Sequence, residues 1–180
     1  MVYVDPLVMP VVQDTLAVLG DQLELTARGQ PKHLRVVPGV EVVIALVGSE
    51  SGIITADECC EGVAAVRVSR VFPTDVFPNE DQRAASEGGP ITWAVEMELT
   101  VIRCGSQPGQ NLAPTDEQLT ADAAWNLDDA AAMRCVGRRL KQMGRIYDYR
   151  TGPWEPGQAD GGCLGGTLTL AVQVDCAECG

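Results

Sequence analysis

Residues 91–103 read I-T-W-A-V-E-M-E-L-T-V-I-R. Ile91, Trp93, Val95, Met97, Leu99 and Val101 recur at every second position, with Thr92, Ala94, Glu96, Glu98 and Thr100 between them. Side chains of an extended chain alternate between its two faces, so a period of two predicts a β-strand with one dry face and one wet face. At roughly 3.3 Å per residue such a strand spans about 43 Å. It needs neighbouring strands for its backbone groups and a layer of side chains over its apolar face.

Residues 115–143 offer that layer. Thr115 and Gln118 have the spacing of a capping box, and Asp116 and Glu117 fall in the first turn, where negative charge offsets the helix dipole. Arg138, Arg139 and Lys141 crowd the far end, where positive charge is favoured, and Gly144 follows. A helix over this stretch is about 42 Å long, close to the strand. Leu119, Ala123, Leu127, Ala130, Ala131 and Leu140 lie near one of its faces. The expectation is that this helix lies across the sheet, its alanine-rich turns allowing close approach.

An N-terminal helix is predicted over about 6–20, with Val8, Val11, Val12, Leu16 and Leu19 on one face. Asp5 is read as its N-cap, Pro6 as its first residue and Gly20 as its end, while Pro10 starts or kinks it. Short β runs follow at 34–37 and 40–47, the second nearly continuous in apolar residues. The run 63–72 places Ala64, Val66, Val68 and Phe72 on one face, interrupted by Arg70, and stops at Pro73. F-P-T-D-V-F-P at 72–78 is a stiff extended turn, and about 79–90 is an acidic, exposed loop. Residues 145–150 read as a connector. Residues 151–166 read as a glycine- and proline-rich loop with Trp154 and Cys163 packed down. In 167–174, Leu168, Leu170, Val172 and Val174 face in, and the tail, about 175–180, frays. This order predicts a single α+β domain over 1–180. Its sheet is antiparallel or mixed, with the long helix (about 115–143) and the N-terminal helix packed on one face.

Composition excludes several functions. With 25 acidic against 13 basic residues, net −12, the chain is a poor general nucleic-acid binder, because neutralising phosphates takes lysine and arginine. The start, M-V-Y-V-D-P, lacks the basic and apolar regions of a signal peptide, and no stretch approaches the roughly 20 apolar residues that span a bilayer. A reducing cytoplasm is therefore expected. Seven cysteines, an odd number, argue against a secreted disulfide framework. The single histidine, His33, removes most imidazole chemistry.

Specific constellations also fall short of a catalytic or metal site. Cys176 and Cys179 have knuckle spacing, and Cys59 and Cys60 are the candidates for a second pair, but an adjacent pair chelates awkwardly. G-G-C-L-G-G at 161–166 lacks the Lys-Ser/Thr ending of a phosphate loop and precedes a strand. Cys163 as a nucleophile would have only His33 as base. Glu96 and Glu98 read as the wet side of the sheet. No catalytic, cofactor-binding or metal residue is assigned, and no cofactor is expected. Arg134, Arg138, Arg139, Lys141, Arg145 and Arg150 form a basic segment suited to an acidic neighbour; in a ring of copies it would meet the Glu80-Asp81 loop of the next.

Several longer motifs resemble one family. C-C-E-G-V-A-A-V-R-V-S-R-V-F-P-T-D-V-F-P (59–78), V-I-R-C ending at Cys104, P-T-D-E-Q (114–118), A-A-M-R (131–134) and G-P-W-E-P-G with G-G-C-L-G-G-T-L-T-L-A-V-Q-V are similar to segments of small structural proteins from tailed, siphovirus-type phages of actinobacteria. They cover most of the chain from Cys59 onward; the first 58 residues match only in outline, and the terminal C-x-x-C-G is not a family feature. The nearest role is tail terminator among the head-to-tail connector, or neck, proteins. The resemblance implies a homohexameric ring that caps the tail tube, ends its polymerisation and joins the tail to the head connector. The implied partners are further copies of itself, the tail tube protein and the connector or stopper protein, with DNA passing through the channel without specific binding and no membrane involved. The implied location is the virion neck, assembled in the host cytoplasm. Alternatives are another neck component, such as a head-closure stopper or adaptor, or a metal-stabilised binding module.

Overall fold

The computed structural model of the chain describes residues 5–37, 60–81, 92–106, 113–157 and 162–175. Their elements run α1 (Val8–Glu24), β1 (His33–Val36), β2 (Val63–Thr74), β3 (Thr92–Cys104), α2 (Asp116–Gln142), β4 (Asp148–Pro156) and β5 (Cys163–Asp175). The strands form one mixed sheet of order β1-β2-β3-β5-β4. β3, whose alternation opened the sequence reading, lies at its centre, antiparallel to β2 and to β5. β1 pairs parallel to β2 at one edge, and β4 pairs antiparallel to β5 at the other. Both helices pack on the same face, which gives the expected α+β class.

The core follows from the alternation. Val95, Met97, Leu99 and Val101 are at most 1% exposed. In register, Leu99 stands between Val66 and Leu168, and Met97 between Val68 and Leu170, so apolar rows cross three strands. Met133, Val136 and Leu140 of α2 and Val12, Leu19 and Leu23 of α1 close over these rows in one cluster, with Trp93 at its rim. Truncating Leu99 to alanine is expected to cost about 2–5 kcal/mol.

The bounds of α1 depart from the sequence reading for local reasons. The Asp5 carboxylate accepts from the Leu7 and Val8 backbone N–H groups at 2.8 and 2.9 Å, so it caps the start although Leu7 intervenes. Pro10 falls in the first turn, where an N–H has no intrahelical acceptor, and it does no harm there. Gly20 does not end the helix, which runs on to Glu24. A Cβ at Gly20 would lie 2.6 Å from Gln30 Nε2 and 2.9 Å from Leu34 Cδ1, so glycine serves close packing there.

Two strand readings need correction. β2 continues through Pro73 to Thr74, and its register shifts between Val68 and Arg70. The bulge at Ser69 moves Phe72 onto the face opposite Val66, beside Arg70, whose guanidinium lies 4.9 Å from the Phe72 ring centroid. The stretch 145–166, read as connector and loop, supplies all of β4 and the start of β5. β4 is an edge strand with its own register shift between Thr151 and Trp154, a place where Gly152 and Pro153 are tolerated. Glycine in β5 makes room: a Cβ at Gly165 would collide with the Val101 carbonyl, and one at Gly166 would lie 2.5 Å from the Trp154 ring. Trp154 packs against the core as expected.

The face of α2 also differs. Leu119 and Leu127 are 52% and 59% exposed, and the buried positions are Asp122, Asp129, Ala130, Met133, Val136, Gly137 and Leu140. The expected strand at 40–47, most of the 79–90 loop, Ile91, Cys59, Cys176 and Cys179 lie outside the described residues. Among the described residues no helix is long and apolar enough to cross a membrane.

Candidate functional site

Three features stand apart from ordinary core packing, and the first two follow from how α2 crosses the sheet. The first is a polar clasp. Arg103 continues the inward-facing series of β3 one step beyond Val101, so its guanidinium enters the helix–sheet interface. There Nε donates to Asp129 Oδ2 at 2.7 Å and Nη2 donates to Asp129 Oδ1 at 3.1 Å. Nη2 also donates to the Gly29 carbonyl at 2.7 Å. The joint after α1 is held from other sides too: Ala27 N–H donates to Asp128 at 2.8 Å, and Arg28 Nη2 donates to the Cys104 carbonyl at 2.6 Å. Arg28 stacks over Trp125, 5.3 Å from its centroid. Burial, then repulsion from Arg103, pushes the Arg28 pKa down. Asp122, one heptad before Asp129, accepts from Ser106 N–H at 2.8 Å through Oδ2, while its buried Oδ1 has no hydrogen-bond partner.

The second feature is the outer surface of α2. The two helices run antiparallel, since Asp14 meets Arg145 at 3.3 Å and Ala27 meets Asp128. Ala27, three residues past α1, meets Asp128, so the twelve residues of α2 before Asp128, roughly 18 Å of helix, project past the C-terminal end of α1. This overhang leaves Leu119, Trp125 and Leu127 exposed. It carries Asp116 and Glu117 on its surface and no basic residue. The opposite end exposes Arg134, Arg138, Arg139 and Lys141, with Arg145 and Arg150 just beyond. Of these, Lys141 pairs with Asp148 at 2.8 Å and Arg145 with Asp14. Thus the expected basic segment lies on the surface. Glu80, expected to face the next copy, pairs with Arg70 at 2.5 Å within the chain.

The third feature is the sheet face away from the helices. Arg67 pairs with Glu98 across β2 and β3, at 2.5 Å from Nη2 to Oε1, and Ser69 Oγ lies 3.1 Å from Glu96 Oε1. The two glutamates therefore belong to a laced polar face, as the sequence suggested. At one end of this face the cysteines gather. Cys60 is disulfide-bonded to Cys104, and Cys163 is disulfide-bonded as well; among the described residues only Cys135 is a free thiol. This corrects the expectation of reduced cysteines and of a loop-packed Cys163 thiol. Strand register places Cys104 opposite Cys163, a proximity that counting cysteines does not reveal. His33 does not face Cys163 as a base; its Nε2 lies 2.9 Å from Glu61 Oε2. With sulfurs joined in disulfides, no group of three metal-ligating side chains stands ready among the described residues.

No family model matches the sequence, and no curated protein is significantly similar to it. The clasp and the overhang were missed in the sequence. The clasp had left a signal: an arginine in phase with a buried strand face needs a carboxylate, and Asp122 and Asp129 lie seven apart on the covering helix. The overhang had none, because its length depends on where α1 stops.

Proposed function

We propose that this chain is a phage tail terminator, a structural protein whose copies close into a ring on the end of the tail tube and join it to the head connector. The observation that carries the reading is the charge-divided long helix, acidic and apolar where it overhangs α1 and basic where it ends. Ring closure requires heterologous contacts, in which one surface of a copy meets a different surface of the next. An exposed acidic end with Leu119, Trp125 and Leu127 and an exposed end with Arg138 and Arg139 are two such surfaces on one rigid element. The acidic partner of the basic segment is the head of the neighbouring α2 in this reading, since Glu80 is already paired with Arg70.

Two further points support it. The motifs from Cys59 onward resemble those of neck proteins. The net charge of −12 per copy sums to about −72 in a ring of six, a field that lets DNA pass without adhering. The ring is assembled in the host cytoplasm and resides in the virion neck; its other contacts are the tail tube protein and the connector or stopper.

Removing the gene from the phage that carries it tests this reading. A terminator leaves overlong tubes of uneven length and heads without tails in electron micrographs. A head-closure stopper or adaptor leaves tails of normal length, detached from heads. Intact virions would remove both readings.

A further inference from the structure

The cysteine corner brings together three sulfurs from three separate elements. Cys60 lies three residues before β2, Cys104 is the last residue of β3, and Cys163 is the first of β5. Cys60 reaches Cys104, as their disulfide requires. Cys104 and Cys163 are register partners. Gly105 N–H donates to the Gly162 carbonyl at 2.7 Å, so the neighbouring pair is the hydrogen-bonded one. Cys104 and Cys163 therefore form a non-hydrogen-bonded pair, whose side chains stand on one face with Cβ atoms about 4.5–5.5 Å apart. Gly62 and Gly162, at φ +79° and +85°, turn the chain beside two of the three cysteines, a conformation that glycine adopts without strain. None of the three side chains is buried, so an ion has access from solvent.

We propose that the reduced form of this corner is a zinc-class metal site, with Cys60, Cys104 and Cys163 as thiolate ligands. Each disulfide takes two electrons from a phosphine, which leaves as its oxide carrying the oxygen of a water molecule, and two protons from that water, and so gives two thiols. The metal ion then replaces the thiol protons, which pass to solvent. Soft thiolate donors select zinc or cobalt over magnesium or calcium. The nearby histidine does not compete, since Glu61 holds it. The site holds three segments that are far apart in sequence, so metal and disulfide are alternative ties for the same end of the sheet. It does not depend on the ring reading: a lone subunit carries all three ligands.

Cobalt(II) titration of the whole chain, kept reduced with a phosphine under anaerobic conditions, tests the proposal. One equivalent of cobalt is expected to give the near-ultraviolet sulfur-to-metal band, and one equivalent of zinc to abolish it. Cys104→Ser and Cys163→Ser should each weaken cobalt binding by more than about a hundredfold, the effect exceeding that of losing an outer-shell partner. Cys135→Ser should leave the band unchanged, and far-ultraviolet circular dichroism shows which variants remain folded. Cys163→Ser, at the start of a strand, keeps the test open should Cys104→Ser unfold. Absence of the band in the reduced, folded chain would overturn the proposal. So would a band that survives both ligand variants, or one lost equally in Cys135→Ser.

Discussion

Arg103 grips Asp129 with two parallel hydrogen bonds, and the two side chains are only 5% and 6% exposed. The pair joins the end of the central strand to the middle of the long helix. Asp129→Ala would leave a buried guanidinium without its counter-charge, and a loss of about 3–5 kcal/mol in urea denaturation is expected. The double variant Arg103→Met with Asp129→Leu should lose less than either single change, because no uncompensated charge remains. A single-variant loss below about 1 kcal/mol would mean that the pair is no more than a surface bridge.

Gly137 is a second fixed point. A Cβ there would run into the Tyr149 ring and lie 3.0 Å from Leu170 Cδ1. Gly137→Val is therefore expected to force α2 away from the β4–β5 edge, at a cost of about 1–3 kcal/mol read from thermal melts. An unchanged melting temperature would show that the helix is free to shift.

Acid sensitivity should arise in part at Glu61. Its bond to Lys32, then the one to His33, hold its carboxyl below the ordinary 4.5. The folded value lies under the unfolded one, so the carboxylate contributes stability at neutral pH. That contribution is lost as pH falls from the unfolded value through the depressed folded value. Asp148, lowered from 3.8 chiefly by Lys141, behaves the same way. Glu61→Gln should flatten the acid limb of a stability-against-pH curve below about pH 5. A variant curve parallel to the original would exclude a role for this cluster.

Charge reversal tests the assembly surface without touching the fold. Arg138 and Arg139 are exposed, so Arg138→Glu with Arg139→Glu should leave circular dichroism unchanged. It should weaken self-association in sedimentation velocity, with a stronger effect at low salt. Equal sedimentation of both proteins would count against the helix end as a contact.

The fold was legible wherever periodicity carried it. Alternation in β3 and from Leu168 to Val174 in β5 gave the central strands and their inward faces, and the capping box at Thr115 gave the start of α2. Legibility failed where tertiary context overrode composition. Gly165 and Gly166 read as loop, yet they are glycine because Val101 and Trp154 come too close for a side chain. Phe72 read as sharing a face with Val66, but a one-residue bulge turns it to the other face, where it is also buried. Leu119 and Leu127 read as buried because apolar residues at helical spacing usually are; only the shorter α1 leaves them uncovered. The cysteine corner was invisible because cross-strand register, not spacing in sequence, sets it.

Ring closure is the central claim, and native mass spectrometry of the purified chain, with and without tail tube protein, tests it most directly. The account predicts a closed species of six copies in at least the tube-containing sample, and its loss when Arg138 and Arg139 are reversed to glutamate. Monomers alone in both samples, at concentrations where the tube itself assembles, would contradict it.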